Sequence, residues 1–197
     1  MRDILSSLEH HKQLLTLFLG SVGGAFALWR WVIDQRWRRV QHAQSLVKDF
    51  LEKPTTEKAL EILDVSDEPI DFKTPNGTET ILITDDFLIG ALSTFADKPK
   101  NTPQELIVRT IFDAFFEDLS IFQSHIDARL IKLKDIKPYL EYYIMELAGE
   151  GRCHASPKFG QQVAEYLNFF WYQRVLTMAK KIYRRFPEVK KPQAKRR

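Results

Sequence analysis

Hydrophobic and polar positions are distributed along this chain in three distinct ways. The first is a block: Gln13 to Trp29 (QLLTLFLGSVGGAFALW) carries no charge over seventeen residues. At about 1.5 Å of rise per helical residue it falls slightly short of a bilayer core of roughly 30 Å. Extending it to Ile33 closes the gap and takes in Arg30, whose long stem can snorkel to the headgroups. Trp29, Trp31 and Trp37 lie at that end, where indoles favour a membrane interface. The block therefore predicts a transmembrane helix over 13–33, preceded by a short extracytoplasmic N-terminus, 1–12. Two alternatives stand beside it. One is a buried helix of a soluble protein. The other is a cleaved leader, since Lys12 precedes the run and Ala25-Phe26-Ala27 fits a small-x-small cleavage site. Asp3 and Glu9 dilute the positive flank, and LWRWVIDQRWRR reads as a stop-transfer segment, which favours an uncleaved anchor. The membrane-interface set is Trp29, Arg30, Trp31, Arg36, Trp37, Arg38 and Arg39. Its arginines, against Arg2 and Lys12 on the other side, place residues 34 onward in the cytoplasm. Gly20 and Gly24 form a GxxxG pair, a spacing that lets two membrane helices approach closely.

The second pattern is helical. Val40, Ala43, Leu46, Val47, Phe50 and Leu51 recur at three and four, so a basic linker helix over 34–53 continues the first helix up to Pro54. A second helix follows over 56–64. Thr102-Pro103-Gln104-Glu105 has the form of a capping box with Pro in the first turn, and opens a helix with Leu106, Ile107, Ile111, Phe112, Phe115, Phe116 and Leu119 on its apolar face. Asp135-Ile-Lys-Pro138 marks another start, ending at Gly149 or Gly151. A last helix is predicted over 158–186, with Ala164, Leu167, Trp171, Val175, Met178 and Ile182 on its buried side, stopping at Pro187. Phe115-Phe116 and the consecutive rings Phe169 to Tyr172 exceed what one helical stripe can bury, so some of them are candidates to face a partner, core packing between helices being the plainer reading.

The third pattern is the short alternation on either side of Thr74-Pro75-Asn76-Gly77, which predicts a small β-hairpin within 65–83, an irregular loop being the alternative. The fold class expected is mainly α: one N-terminal transmembrane helix continuing into a long helix, then a compact helical domain over 54–186 with a small hairpin, and a basic disordered tail over 187–197.

Charge changes this picture more than composition does. The net charge of +3 divides into +4 over residues 1–48, −11 over 49–150 and +10 over 151–197. The basic C-terminal set is Lys180, Lys181, Arg184, Arg185, Lys190, Lys191, Lys195, Arg196 and Arg197, which suits an anionic partner or a solvated tail. A single cysteine excludes an internal disulfide and fits a reducing compartment. Cys153-His154 invites a nucleophile–base pairing, but adjacent side chains point apart, and a solvent-facing loop pair is the plainer reading. Glu117, Asp118, Glu141 and Glu146 could form a paired-carboxylate site, but acids on solvated helix faces are the plainer reading. His10, His11, His42, His125 and His154 have no metal-ligand spacing. No catalytic residue, metal or cofactor is expected.

The stretch RTIFDAFFEDLSIFQSHIDARLIKLKDIKPYLEYYIMEL (109–147), with the anchor and its arginine flank, resembles small bacterial proteins grouped as domains of unknown function. The resemblance implies a membrane-anchored helical module and no catalytic residues. The expected function is a single-pass cytoplasmic-membrane interaction or scaffold protein without catalysis, its partners being membrane lipids and a protein or a second copy of itself. The alternative is an adaptor that binds anionic lipid or nucleic acid through the basic tail; nucleic acid is disfavoured because no nucleic-acid-binding motif surrounds it.

Overall fold

The computed structural model describes residues 2–74, 77–94 and 101–189, with side chains described from Ser21 onward. It divides into two units, Met1–His42 and Ala43–Arg197. The elements in chain order are α1 (Arg2–Leu51), α2 (Pro54–Asp64), β1 (Glu68–Thr74), β2 (Gly77–Ile83), α3 (Asp85–Ala91), α4 (Pro103–Asp127), α5 (Leu133–Leu147), α6 (Pro157–Phe169) and α7 (Gln173–Ile182).

Among the described residues no helix is long and apolar enough to cross a membrane. This corrects the transmembrane assignment of 13–33, and with it the single-pass topology and the cytoplasmic-membrane location. The physical reason lies in the segment's length and composition. The charge-free run Gln13–Trp29 is about 25 Å of helix, short of a hydrocarbon core, and it is diluted by Thr16, Gly20, Ser21, Gly23 and Gly24 before Arg30 and Asp34 follow. The side chains of 13–20, Gly20 among them, lie outside the described residues.

The second unit is built around α4. Its first turn closes the predicted capping box: Thr102 Oγ1 accepts from the Glu105 N–H at 3.2 Å, and Glu105 Oε2 accepts from the Thr102 N–H at 2.8 Å. Phe112, Phe115, Phe116, Leu119 and Phe122 are buried along it. Phe50, at the end of α1, meets Phe122 edge-on at 5.1 Å and Phe115 at 5.7 Å. Lys53 pairs with Asp118 at 2.5 Å, fixing the turn into α2 on the same helix. The hairpin is present, with Ile70 opposite Ile81 and Thr74 opposite Gly77. Its inward face, Ile70, Phe72, Ile81 and Ile83, is buried. A two-stranded ribbon is stable only when it packs in this way. Pro75 and Asn76 of the turn lie outside the described residues.

Candidate interaction site

The predicted helix over 158–186 is two helices, α6 and α7, with a break between them. Alpha-helix α6 ends in a Schellman motif: the Tyr172 N–H donates to the Leu167 carbonyl at 2.8 Å and the Trp171 N–H to Asn168 at 3.4 Å. The residue between them, Trp171, takes a left-handed conformation with φ +64°. The same closure ends α4 at Arg129 (φ +59°) and α5 at Gly149 (φ +69°). Glycine is the usual occupant of that position, because in any other residue Cβ crowds the carbonyl at a cost of about 1–2 kcal/mol. Of these three closures only Gly149 follows the preference, and Trp171 is the bulkier of the two residues that depart from it.

The neighbours of Trp171 explain why it turns outward. The Phe170 ring lies 4.6 Å from Tyr166 and 4.7 Å from the Arg109 guanidinium. Tyr172 rests on Phe116 at 5.7 Å. Its hydroxyl donates to Asp113 Oδ1 at 3.3 Å, and Tyr166 donates to the same oxygen at 2.5 Å. With Phe170 and Tyr172 held against α4, Trp171 stands 85% exposed, beside Phe169 at 44%. This corrects the placement of Trp171 on the buried side of a continuous helix. No glycine or proline marks the break; the surplus of four rings in a row was its only trace.

Burial, reinforced by Asp113, raises the pKa of the Tyr166 and Tyr172 hydroxyls above the ordinary tyrosine value. The native state therefore holds these protons more tightly than the unfolded chain does. The stabilisation is fully present below about pH 10 and is lost as pH rises through the native values. In a spectrophotometric titration these phenols should ionise at higher pH than exposed tyrosines. A Tyr166→Phe, Tyr172→Phe variant should lose less stability between neutral and strongly alkaline pH than the parent; an identical alkaline profile would contradict the assignment.

Beyond the corner, α7 buries Val175, Leu176, Met178, Ala179 and Ile182 and leaves Arg174, Thr177, Lys180 and Lys181 exposed, with Arg184 and Arg185 exposed just after it. No acid occurs between Gln173 and Arg185. Arg174 donates to Ser124 Oγ at 2.8 Å, and Arg185 lies 3.9 Å from Glu150. Lys180 and Lys181 are thus exposed in the last turn of α7, and Arg184 and Arg185 just after it. Lys190, Lys191, Lys195, Arg196 and Arg197 lie outside the described residues.

The Cys153-His154 loop is not solvent-facing as expected. His154 is fully buried, with Nδ1 2.8 Å from Asp85 Oδ1 and Nε2 3.0 Å from the Ile62 carbonyl. A carbonyl only accepts, so Nε2 carries a proton. With both ring nitrogens engaged, His154 has none to offer Cys153, whose thiol donates to the Asp64 carbonyl at 3.1 Å. Glu146, expected on a solvated face, is fully buried and accepts from the backbone N–H groups of Arg152 (2.7 Å), Cys153 (3.2 Å) and His154 (2.9 Å). Of the other candidate carboxylates, Asp118 pairs with Lys53, Glu141 with Lys137 at 3.2 Å, and Glu117 is exposed. Among the described residues no group of His, Cys, Asp and Glu could hold a metal ion.

In the first unit, Trp29, Trp31 and Trp37 are exposed, together with Val22, Phe26 and Leu28. The interface role given to these rings and to Arg30, Arg36, Arg38 and Arg39 rested on the corrected span. At Gly24 nothing lies within 4 Å of where a Cβ would stand; Gly20, its GxxxG partner, is outside the described side chains. Comparison with family models, curated proteins and solved structures finds no match. The functional reading therefore rests on the chain's own geometry.

Proposed function

We propose that the chain is a non-catalytic interaction protein whose second unit docks an acidic protein surface on the corner between α6 and α7. The observation that carries this reading is Trp171, a large apolar side chain held in water by a backbone conformation that glycine would adopt at lower cost. Strain of this kind persists where surrounding structure enforces it, and exposed tryptophan is a frequent interface anchor. The basic surface of α7, which follows it in the chain, supplies long-range attraction to negative charge and sets the sign of the partner.

The test is crosslinked affinity capture with the full-length chain, wild type against a Lys181→Glu, Arg184→Glu variant. Both positions are exposed, so folding should be unaffected. The variant should recover the wild-type chain's partner about tenfold less well, and the wild-type interaction should weaken with salt. Equal recovery by the two proteins would count decisively against an acidic partner at this surface.

A further inference from the structure

A second surface, remote in sequence from the corner, carries features of a peptide site. An open groove of about 890 Å³ runs between α2, β1 and α4. This is within the size range of ligand pockets. One wall is a single face of α2, through Glu57, Lys58 and Glu61. The apolar side is a single face of α4, through Leu106, Ile107 and Ile111. Leu106 is 50% exposed there. The third side is β1, and its contribution is informative: Asp71, Phe72, Lys73 and Thr74 all line the groove. Successive side chains of a strand point to opposite faces, so four consecutive residues border one space only where the strand presents its edge. The sheet has just the two strands among the described residues, which leaves the outer edge of β1 without a strand neighbour. Such an edge offers unpaired N–H and C=O groups to an incoming chain.

The charges choose the occupant. Four carboxylates, Glu57, Glu61, Asp71 and Glu79, face two ammonium groups, Lys58 and Lys73. Lys58 is already engaged, 2.7 Å from Glu61 and 4.9 Å from the centre of the Phe72 ring. Asp71 accepts from Thr80 Oγ1 at 2.6 Å. Glu79 Oε2 is buried and has no hydrogen-bond partner among the described residues. A buried carboxylate oxygen without a donor is costly to leave so, and a cationic donor would satisfy it.

We propose that this groove binds an extended peptide that pairs with the outer edge of β1, directs an arginine or lysine to Glu79, and sets an apolar residue over Leu106 and Ile107. The inference is independent of the Trp171 corner.

The probe is a labelled, capped peptide alternating valine and arginine, titrated into the full-length protein. Its controls are the same peptide with glutamate for arginine, and the basic peptide N-methylated at alternate amides so that it cannot pair with an edge. Expected results are saturable binding of the basic peptide alone, with the amide signals of Asp71 to Thr74 shifting. Glu79→Gln keeps the side chain's shape and should weaken binding about tenfold, the scale of one charge-assisted hydrogen bond. Leu106→Glu should weaken it similarly, while Trp171→Gly should leave it unchanged. Absence of saturable binding would overturn the proposal. So would binding indifferent to Glu79→Gln, to peptide charge, or to N-methylation, the last meaning that the occupant is not a strand.

Discussion

Replacing Glu146 by alanine should cost about 3–5 kcal/mol, a large fraction of the stability of an ordinary domain. Its carboxylate is the acceptor for three successive backbone N–H groups in a loop that has no secondary structure of its own. Removing it strands three donors away from water, each at about 1–3 kcal/mol, partly relieved as the loop opens. The loss would propagate, because the same loop carries His154, whose ring joins the Ile62 carbonyl of α2 to Asp85 at the start of α3. Glu146→Gln should lie between the two, since its amide nitrogen would confront a donor. Thermal unfolding should show a fall of about 10 °C or more for the alanine variant. A change within about 1 kcal/mol would mean that water or neighbouring groups satisfy these donors, and that the loop is not held as described.

Gly160→Ala should cost about 3 kcal/mol, at the upper part of the range for overpacking. A Cβ at residue 160 would stand 1.9 Å from the Ala148 carbonyl oxygen and 2.4 Å from its carbon. Those are backbone atoms and cannot rotate aside. Gly149 is constrained from the opposite side, with a Cβ there 2.0 Å from the Ser156 carbonyl oxygen and φ already at +69°. The end of α5 and the start of α6 are therefore joined backbone to backbone, and the Glu146 loop spans that joint. Chemical denaturation of the Gly160→Ala variant measures the effect directly; a stability equal to the parent's would show that the two helices can separate at little cost.

The signals that the sequence carried faithfully were local ones. Thr102 and Glu105 announce the start of α4, Pro54 the end of the long helix, and the alternation around Asn76-Gly77 a hairpin, because each depends on residues a few positions apart. What stayed hidden depends on distant partners. Glu146 looks like a surface acid until the N–H groups of residues 152–154 fold back on it. Gly160 looks unremarkable until Ala148 is placed beside it. The break at Trp171 arises because Asp113 and Arg109, on another helix, secure Tyr172 and Phe170 more strongly than α-helical continuity would. The first helix differs in kind: its apolar residues form a block, but glycines dilute the block and charges follow from Arg30 onward, and among the described residues no helix is long and apolar enough to cross a membrane.

The corner's role is tested most directly by Trp171→Gly, measured for stability and for partner capture on the same protein preparation. The side chain is 85% exposed, so little packing is lost, and relief of the left-handed strain should outweigh glycine's extra backbone entropy by about 0.5–1 kcal/mol. The account predicts a midpoint raised by about 1–4 °C and partner recovery reduced about thirtyfold, the size of a hot-spot loss. A variant that is less stable, or that retains its partner in full, would show that Trp171 serves the fold and not an interface.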